Sequence, residues 1–212
     1  MFQIRNVKYK DILHIKAVDI EEKKVTTLFG ESGSGKTTLM KLLNQLISYD
    51  EGEIIYNNKP IEAYDPIELR RDVVMLAQTP AMFEGNVRDN LLIGLKFAEK
   101  EIAADDELLN ALEIVQLQKG LNEGVDSLSG GEKQRLSFAR VILMDAPVYL
   151  LDEPTSALDE DTEMTVMEQF CRHARQKGKT IIMVTHSRTV AETFSDRIIY
   201  MKDINEGKTA NE

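Results

Sequence analysis

The segment Gly30-Glu31-Ser32-Gly33-Ser34-Gly35-Lys36-Thr37, followed by Thr38, has the residue types and spacing of a loop that wraps phosphate. Its glycines let successive backbone N–H groups turn toward one anion, Lys36 offers a point charge to the outer phosphates, and the Thr37 hydroxyl can sit on magnesium. ATP with Mg2+ is the ligand that suits this chemistry. A second phrase, Leu128-Ser129-Gly130-Gly131-Glu132, stands just ahead of an amphipathic helical pattern (Leu136, Ala139, Ile142, Leu143). Its free N–H groups and the positive end of the helix form a further anion site beside the Ser129 hydroxyl. One chain has only one full phosphate cradle, so Ser129, Gly130 and Gly131 are expected to meet the nucleotide of another copy. A plain helix cap would use the same residues.

Reacting groups follow from where the strands end. Val148-Tyr149-Leu150-Leu151-Asp152-Glu153 is an apolar strand closing on two carboxylates, at the edge where parallel sheets place their ligands. Asp152 is expected to hold magnesium through its water shell, and Glu153 to polarise an attacking water as general base. His186 closes the run from Thr180 to Thr185 at the same edge, placed for the terminal phosphate or the attacking water. Gln78 closes the strand Val73 to Ala77 and, as a neutral amide, could ligate magnesium or orient water while reporting nucleotide state to the segment after it. Tyr9 offers an aromatic face on which adenine could stack, with a tyrosine packed in an outer sheet as the alternative. His14 and His173 lack such a context and are read as surface residues, and Cys171 as a packed helix residue.

The elements that position these groups can be read from periodicity. Alternation from Phe2 to Ile20 predicts two paired strands joined by a Lys10-Asp11 turn, and Val25 to Phe29 a buried strand feeding the phosphate loop. A helix is expected over Thr37 to Leu46, a hairpin over Gly52 to Ile61 with Asn57-Asn58 at its turn, a short helix over Pro66 to Arg71 and a strand over Val73 to Ala77. From Glu84 to Ser127 leucines at helical spacing mark an inserted helical subdomain. Beyond the second phrase come a helix to about Met144, the strand Val148 to Leu151, a helix from about Asp159 to Gln176, and the strands Thr180 to Val184 and Arg197 to Met201. The polar tail Lys202 to Glu212 is expected to fray. Alternating strands and helices imply a parallel sheet covered on both faces.

Bulk properties set limits on partners. A chain of 212 residues suits one large domain with an inserted subdomain, and a net charge of −10 argues against a general nucleic-acid binder. A single cysteine allows no internal disulfide and suits a reducing cytosol. No apolar run approaches the roughly 20 residues that span a bilayer, and the start lacks a signal-peptide layout. A membrane role is therefore expected to run through partner subunits.

Taken together, Gly30 to Thr37, Leu128 to Glu132 and the block Lys133 to Asp159 resemble the ATP-binding cassette family, the ATPase subunits of ABC transporters, over nearly the whole chain. The resemblance implies an α/β fold: a P-loop NTPase core with a mainly parallel sheet, an N-terminal antiparallel β subdomain and an inserted helical subdomain. Residues 1–83 and 133–212 would form the nucleotide-binding core, and 84–132 the helical subdomain with the signature phrase. It further implies Gln78 as the coupling glutamine, Tyr9 as the adenine-stacking aromatic, Ser129 to Gly131 as the clasp on ATP held by the opposite subunit, and Asp152, Glu153 and His186 as magnesium, base and switch residues. Ser156-Ala157-Leu158-Asp159 resembles the loop that crosses the dimer interface. Glu132 departs from the more frequent glutamine, and the helical insert is compact. The stretch Gln78 to Leu91 looks like the exporter version of the coupling region, with Met82, Phe83 and Leu92 either lining a cleft for a membrane subunit or forming helical core. The short layout is most similar to ATPase subunits of bacterial two-component exporters, including the iron-export type. The implied assembly is a second cassette, as a homodimer, with transmembrane permease subunits on the inner face of the cytoplasmic membrane and no nucleic acid. A soluble cassette ATPase acting on nucleic acid or the ribosome is the alternative.

Overall fold

A computed structural model describes residues 1–207. The chain opens with β1 (Phe2–Tyr9) and β2 (Leu13–Ile20), antiparallel in a register that sets Phe2 opposite Ile20 and Tyr9 opposite Leu13. After β3 (Val25–Phe29) and helix α1 (Lys36–Leu43), β4 (Glu51–Tyr56) pairs with β1 and with the short β5 (Lys59–Pro60). Asn57 and Asn58, with φ of 47° and 63°, make the tight turn between β4 and β5, the geometry that asparagine tolerates best among residues bearing a side chain. These strands form a four-stranded sheet in the order β2-β1-β4-β5. Asp65 caps α2 (Pro66–Asp72), its carboxylate accepting from the N–H groups of Ile67 and Glu68, and α2 leads into β6 (Val73–Leu76).

Helices α3 (Val87–Phe97) and α4 (Asp105–Ile114) follow, then α5 (Gly130–Leu143), which packs on both of them and on β6. Residue 132 thus lies in the first turn of an unbroken helix. The remaining elements are β7 (Val148–Asp152), α6 (Glu160–Gln176), β8 (Thr180–Val184), α7 (Arg188–Phe194), β9 (Arg197–Tyr200) and α8 (Met201–Ile204). The second sheet has the order β6-β7-β8-β3-β9, and all its pairings are parallel.

Why β7 and β8 are continuous apolar runs is clear from the two cores. Val148 and Leu150 of β7, with Ile182 and Val184 of β8, face α1 and the antiparallel sheet. Tyr149, Leu151, Ile181 and Met183 face the other way, toward α5, α6 and α7. Both faces are covered, so neither strand needs polar alternation. The parallel sheet then delivers its strand ends, with Asp152 and the residues after it, to one edge.

Two expectations are corrected. The stretch after β9 does not fray at its start: Met201 is fully buried, α8 forms, and Asn205 makes a bridge to Ile15, while residues 208–212 lie outside the described residues. His173 is not a plain surface residue: it is half-buried, and its buried Nε2 has no hydrogen-bond partner among the described residues. Of the two readings left open for Leu92, the helical core is the one it takes, at 8% exposed.

Candidate active site

The phosphate loop joins β3 to α1. Gly35 has φ 92°, and a side chain there would meet Leu13 Cδ2 at 2.5 Å, so the position demands glycine on both counts. Lys36 begins α1 and is 6% exposed, its ammonium donating to the carbonyls of Gly30 and Glu31, both at 2.7 Å. Burial pulls the Lys36 pKa below its ordinary value, and the charges of Glu153 and Asp152 partly restore it. Thr37 Oγ1 donates to Asp152 Oδ1 at 3.0 Å across the gap between α1 and the end of β7. Thr38 follows Thr37 on α1, and Glu31, Ser32 and Gly33 form the outer, exposed side of the loop. Ser34 turns inward, with a buried Oγ that has no hydrogen-bond partner among the described residues.

Beyond β7 the chain makes a sharp corner. Asp152 is 3% exposed, and burial raises its carboxyl pKa, opposed by the Thr37 hydroxyl. Glu153 then takes φ 49°, a left-handed conformation unusual for a residue with a long side chain. Two bonds hold that corner: the Glu153 N–H donates to Val184 O at 2.9 Å, and Gln134 Nε2 donates to Glu153 O at 3.0 Å. The corner aims the carboxylate between two partners, with Gln78 Nε2 donating to Oε2 at 2.7 Å and His186 Nε2 lying 2.9 Å from Oε1. A carboxylate has about four lone-pair sites, so Glu153 can still accept a proton from water.

The structure therefore gathers Lys36, Thr37, Asp152, Glu153, Gln78 and His186 at one edge. Tyr9 ends β1, half-buried against the core, just before the Ile12–Leu13 corner that touches Gly35. Ser129 to Gly131 are placed otherwise. Among the described residues no hydrogen bond links them to the phosphate loop. Ser129 caps α5, its hydroxyl accepting from Glu132 N–H while the Glu132 carboxylate accepts from Ser129 N–H at 2.8 Å. Glu132 also pairs with Lys119 at 3.2 Å. The Ser129 N–H first, then the Lys119 ammonium, hold the Glu132 carboxyl below the usual range, so the glutamate that departs from the family pattern serves as a capping-box residue. Gly131 lets α5 approach the loop after β7: a side chain would meet Ala157 O at 3.1 Å.

One further residue holds this corner that no motif in the sequence marks. Gln134 is 3% exposed, and its carboxamide donates to Glu153 O and to Ser156 Oγ at 3.3 Å while accepting from Ala157 N–H at 2.9 Å. It ties the segment of the second phrase to the corner at Glu153. Its spacing from buried Phe138 and Val141 on α5 places it on the inward face, the one signal that could have marked it.

The ABC transporter family model matches residues 13–156, a stretch that runs from β2 through the phosphate loop and the second phrase to the corner at Glu153. The chain belongs to the ABC transporter family. This ATP-binding cassette is 36% identical over 194 residues to a Haemophilus influenzae glutathione/L-cysteine transport system ATP-binding/permease protein, covering 86% of this chain and 33% of that relative. The chain spans about a third or less of the first curated relatives it matches, so the permease work in that name stays with that protein. A post-hydrolysis dimer of an ATP-binding cassette bound to ADP and Pi superposes with a TM-score of 0.84 at 28% identity, covering 99% of this chain and 97% of that one. An ATP-bound bacterial Atm1-family ABC exporter gives 0.86 at 26% identity, covering 99% and 38%. The cassette fold, with its parallel core, antiparallel sheet and helical insert, is thus that of an ABC ATPase.

Proposed function

We propose that this cassette hydrolyses ATP with Glu153 as general base, and that pairs of it, clasping two ATP molecules, drive transmembrane partner subunits in export. The observation that carries the reading is the Glu153 carboxylate held between Gln78 and His186 at the strand end next to Asp152, Thr37 and Lys36. Lys36 and the N–H groups of Gly30 to Thr38 would bind the phosphates, Tyr9 would stack the adenine, and His186 would orient the attacking water or terminal phosphate. The residues present fit magnesium. Among the described residues Asp152 is a buried carboxylate whose only hydrogen-bond partner is a hydroxyl, and no cluster of three His, Cys, Asp or Glu forms an all-protein cage. One carboxylate, one hydroxyl and substrate phosphates are the donor set that Mg2+ prefers, with Gln78 near by. Magnesium bound there would neutralise charge on the outer phosphates.

Ser129 to Gly131 would complete the site of a facing copy, with 1–83 and 133–212 as nucleotide-binding core and 84–132 as helical arm. Among the described residues no helix is long and apolar enough to cross a membrane, so attachment to the inner face of the cytoplasmic membrane would run through partners. Export rests on the layout Gln78 to Leu91 and on the likeness to an exporter; the net charge of −10 supports it over a nucleic-acid role. Two substitutions test the chemistry. Glu153→Gln should keep ATP binding and lose steady-state turnover by at least about a hundredfold, the usual scale of a lost general base. Lys36→Ala should weaken ATP binding itself. Normal turnover by Glu153→Gln would sink the assignment.

A further inference from the structure

The segment after β9 closes over the nucleotide-binding edge through one side chain. Asn205 Oδ1 accepts from His14 N–H at 2.7 Å and from Gly207 N–H at 3.0 Å, while Asn205 Nδ2 donates to Ile12 O at 2.9 Å and to Ser34 O at 3.2 Å. A single carboxamide thus binds three separate stretches: the β1–β2 corner, the phosphate loop and its own strap. Neighbouring contacts follow the same line. Glu206 N–H donates to His14 O at 2.9 Å, and the Glu206 carboxylate pairs with Lys16 at 2.6 Å. A side chain at Gly207 would meet Ile12 O at 2.9 Å, and one at Gly30 would meet Met201 Cβ at 3.1 Å, so the strap lies directly against both parts. Between the strap and the loop is a cavity of about 610 Å³ lined by Gly30, Glu31, Ser34, His186, Tyr200 and Asn205.

The two parts joined by Asn205 have different tasks. Ser34 belongs to the phosphate cradle, whereas Ile12 and His14 flank the corner that follows Tyr9, the base-facing residue of the proposed site. β3 and α1 already anchor the cradle by their own hydrogen bonds. The corner is tied on its outer side by the Lys10 N–H to Asp50 Oδ2, and on the strap side by the Ile12 carbonyl and His14 N–H through Asn205. From this geometry we infer that Asn205 is a positioning residue for nucleotide binding: it fixes the base-side corner relative to the phosphate loop, so that both ends of ATP are met at once. The inference rests on the ATP reading of the loop. Its energetic logic is pre-organisation, since a corner already held in place costs no ordering when the ligand arrives.

Calorimetric titration of Asn205→Leu with ATP and with tripolyphosphate, beside thermal melting, tests it. The leucine keeps the side-chain size and removes all four bonds. ATP affinity should fall about tenfold, the scale of one or two net hydrogen bonds, and tripolyphosphate affinity should change less than about twofold. Gly207→Ala acts on the same strap from its other end by pressing a methyl group on Ile12 O, and should give the same split without touching the carboxamide. Equal losses for both ligands, in step with a lower melting temperature, would mean a merely structural strap and overturn the inference; so would unchanged ATP affinity in both variants. Lys36→Ala separates this from the underlying reading. If that variant binds ATP as tightly as the parent, the loop assignment fails, whereas loss in Lys36→Ala without loss in the strap variants rejects only the role of Asn205.

Discussion

Glu153, the proposed general base, has its carboxylate on a backbone that glycine would occupy more easily, with φ 49°. A left-handed conformation costs a residue with a side chain about 1 kcal/mol, and the carboxylate also stands next to Asp152 in sequence. Such strain persists where the surroundings over-determine it, here through Val184 O and Gln134. Glu153→Gly is therefore expected to raise unfolding free energy by about 0.5 to 1 kcal/mol, less whatever the half-exposed His186 contact contributes, and to abolish turnover. Denaturant unfolding with a turnover assay checks both halves. A variant less stable than the parent would mean that the Gln78 and His186 contacts outweigh the backbone strain. Glu153→Gln keeps the backbone cost, so comparing the two substitutions separates conformation from chemistry.

At the scale of elements, α6 has a pH-sensitive contact. His173 Nε2 is buried and unpartnered, and burial, followed by the charge of Lys177, lowers its pKa; Asp145 opposes that and Lys179 adds to it. The folded chain thus keeps His173 neutral at a pH where the unfolded chain takes up a proton. Stability from this residue is complete above about 6.5 and is lost as pH falls through that value toward the lower folded one. His173→Gln should flatten this part of the stability profile, measured by urea unfolding from pH 7.5 down to about 5. A profile just as steep would place the acid sensitivity elsewhere. No sequence pattern marks this contact, because an i to i+4 spacing places His173 on α6 without saying that α4 and the loop after α5 pack beside it. Elements with strong local signals were legible: β7 and β8 as unbroken apolar runs, α2 from Asp65-Pro66, and the β4–β5 turn from Asn57-Asn58. Short elements were not. The seven residues of α7 and the four of α8 are held by burial of Val190, Phe194 and Met201, which periodicity over so few positions cannot register. The same divide holds in the site. Lys36, Thr37, Asp152, Gln78 and His186 stand beside strand ends and could be placed by counting, whereas Gln134 and Asn205 act through contacts between segments far apart in the chain.

For the whole molecule, the decisive question is what Ser129 to Gly131 face. In one chain the start of α5 is open: a side chain built at Gly130 meets nothing within 4 Å, and Ser129 is exposed. An exposed helix start with free N–H groups can take an anion, and the related cassette bound to ADP and Pi is a dimer. If each ATP bridges two copies, binding energy becomes association energy and the dimer must depend on nucleotide; two-fold symmetry then makes both sites equivalent. Two chains of net charge −10 repel, so the association should also strengthen as salt rises from about 0.01 to 0.15 M, where the Debye length falls from about 30 to 8 Å. Adding Ser129→Arg to Glu153→Gln should abolish the ATP-induced dimer while leaving ATP affinity at the phosphate loop intact. The arginine would also remove the α5 cap, costing about 1 kcal/mol, which a melting curve detects and which Ser129→Ala reproduces without the bulk. Sedimentation should therefore find Ser129→Ala dimeric and Ser129→Arg monomeric at saturating ATP. If both variants stay dimeric, the start of α5 is a helix cap and nothing more, and the second copy must be sought on another surface.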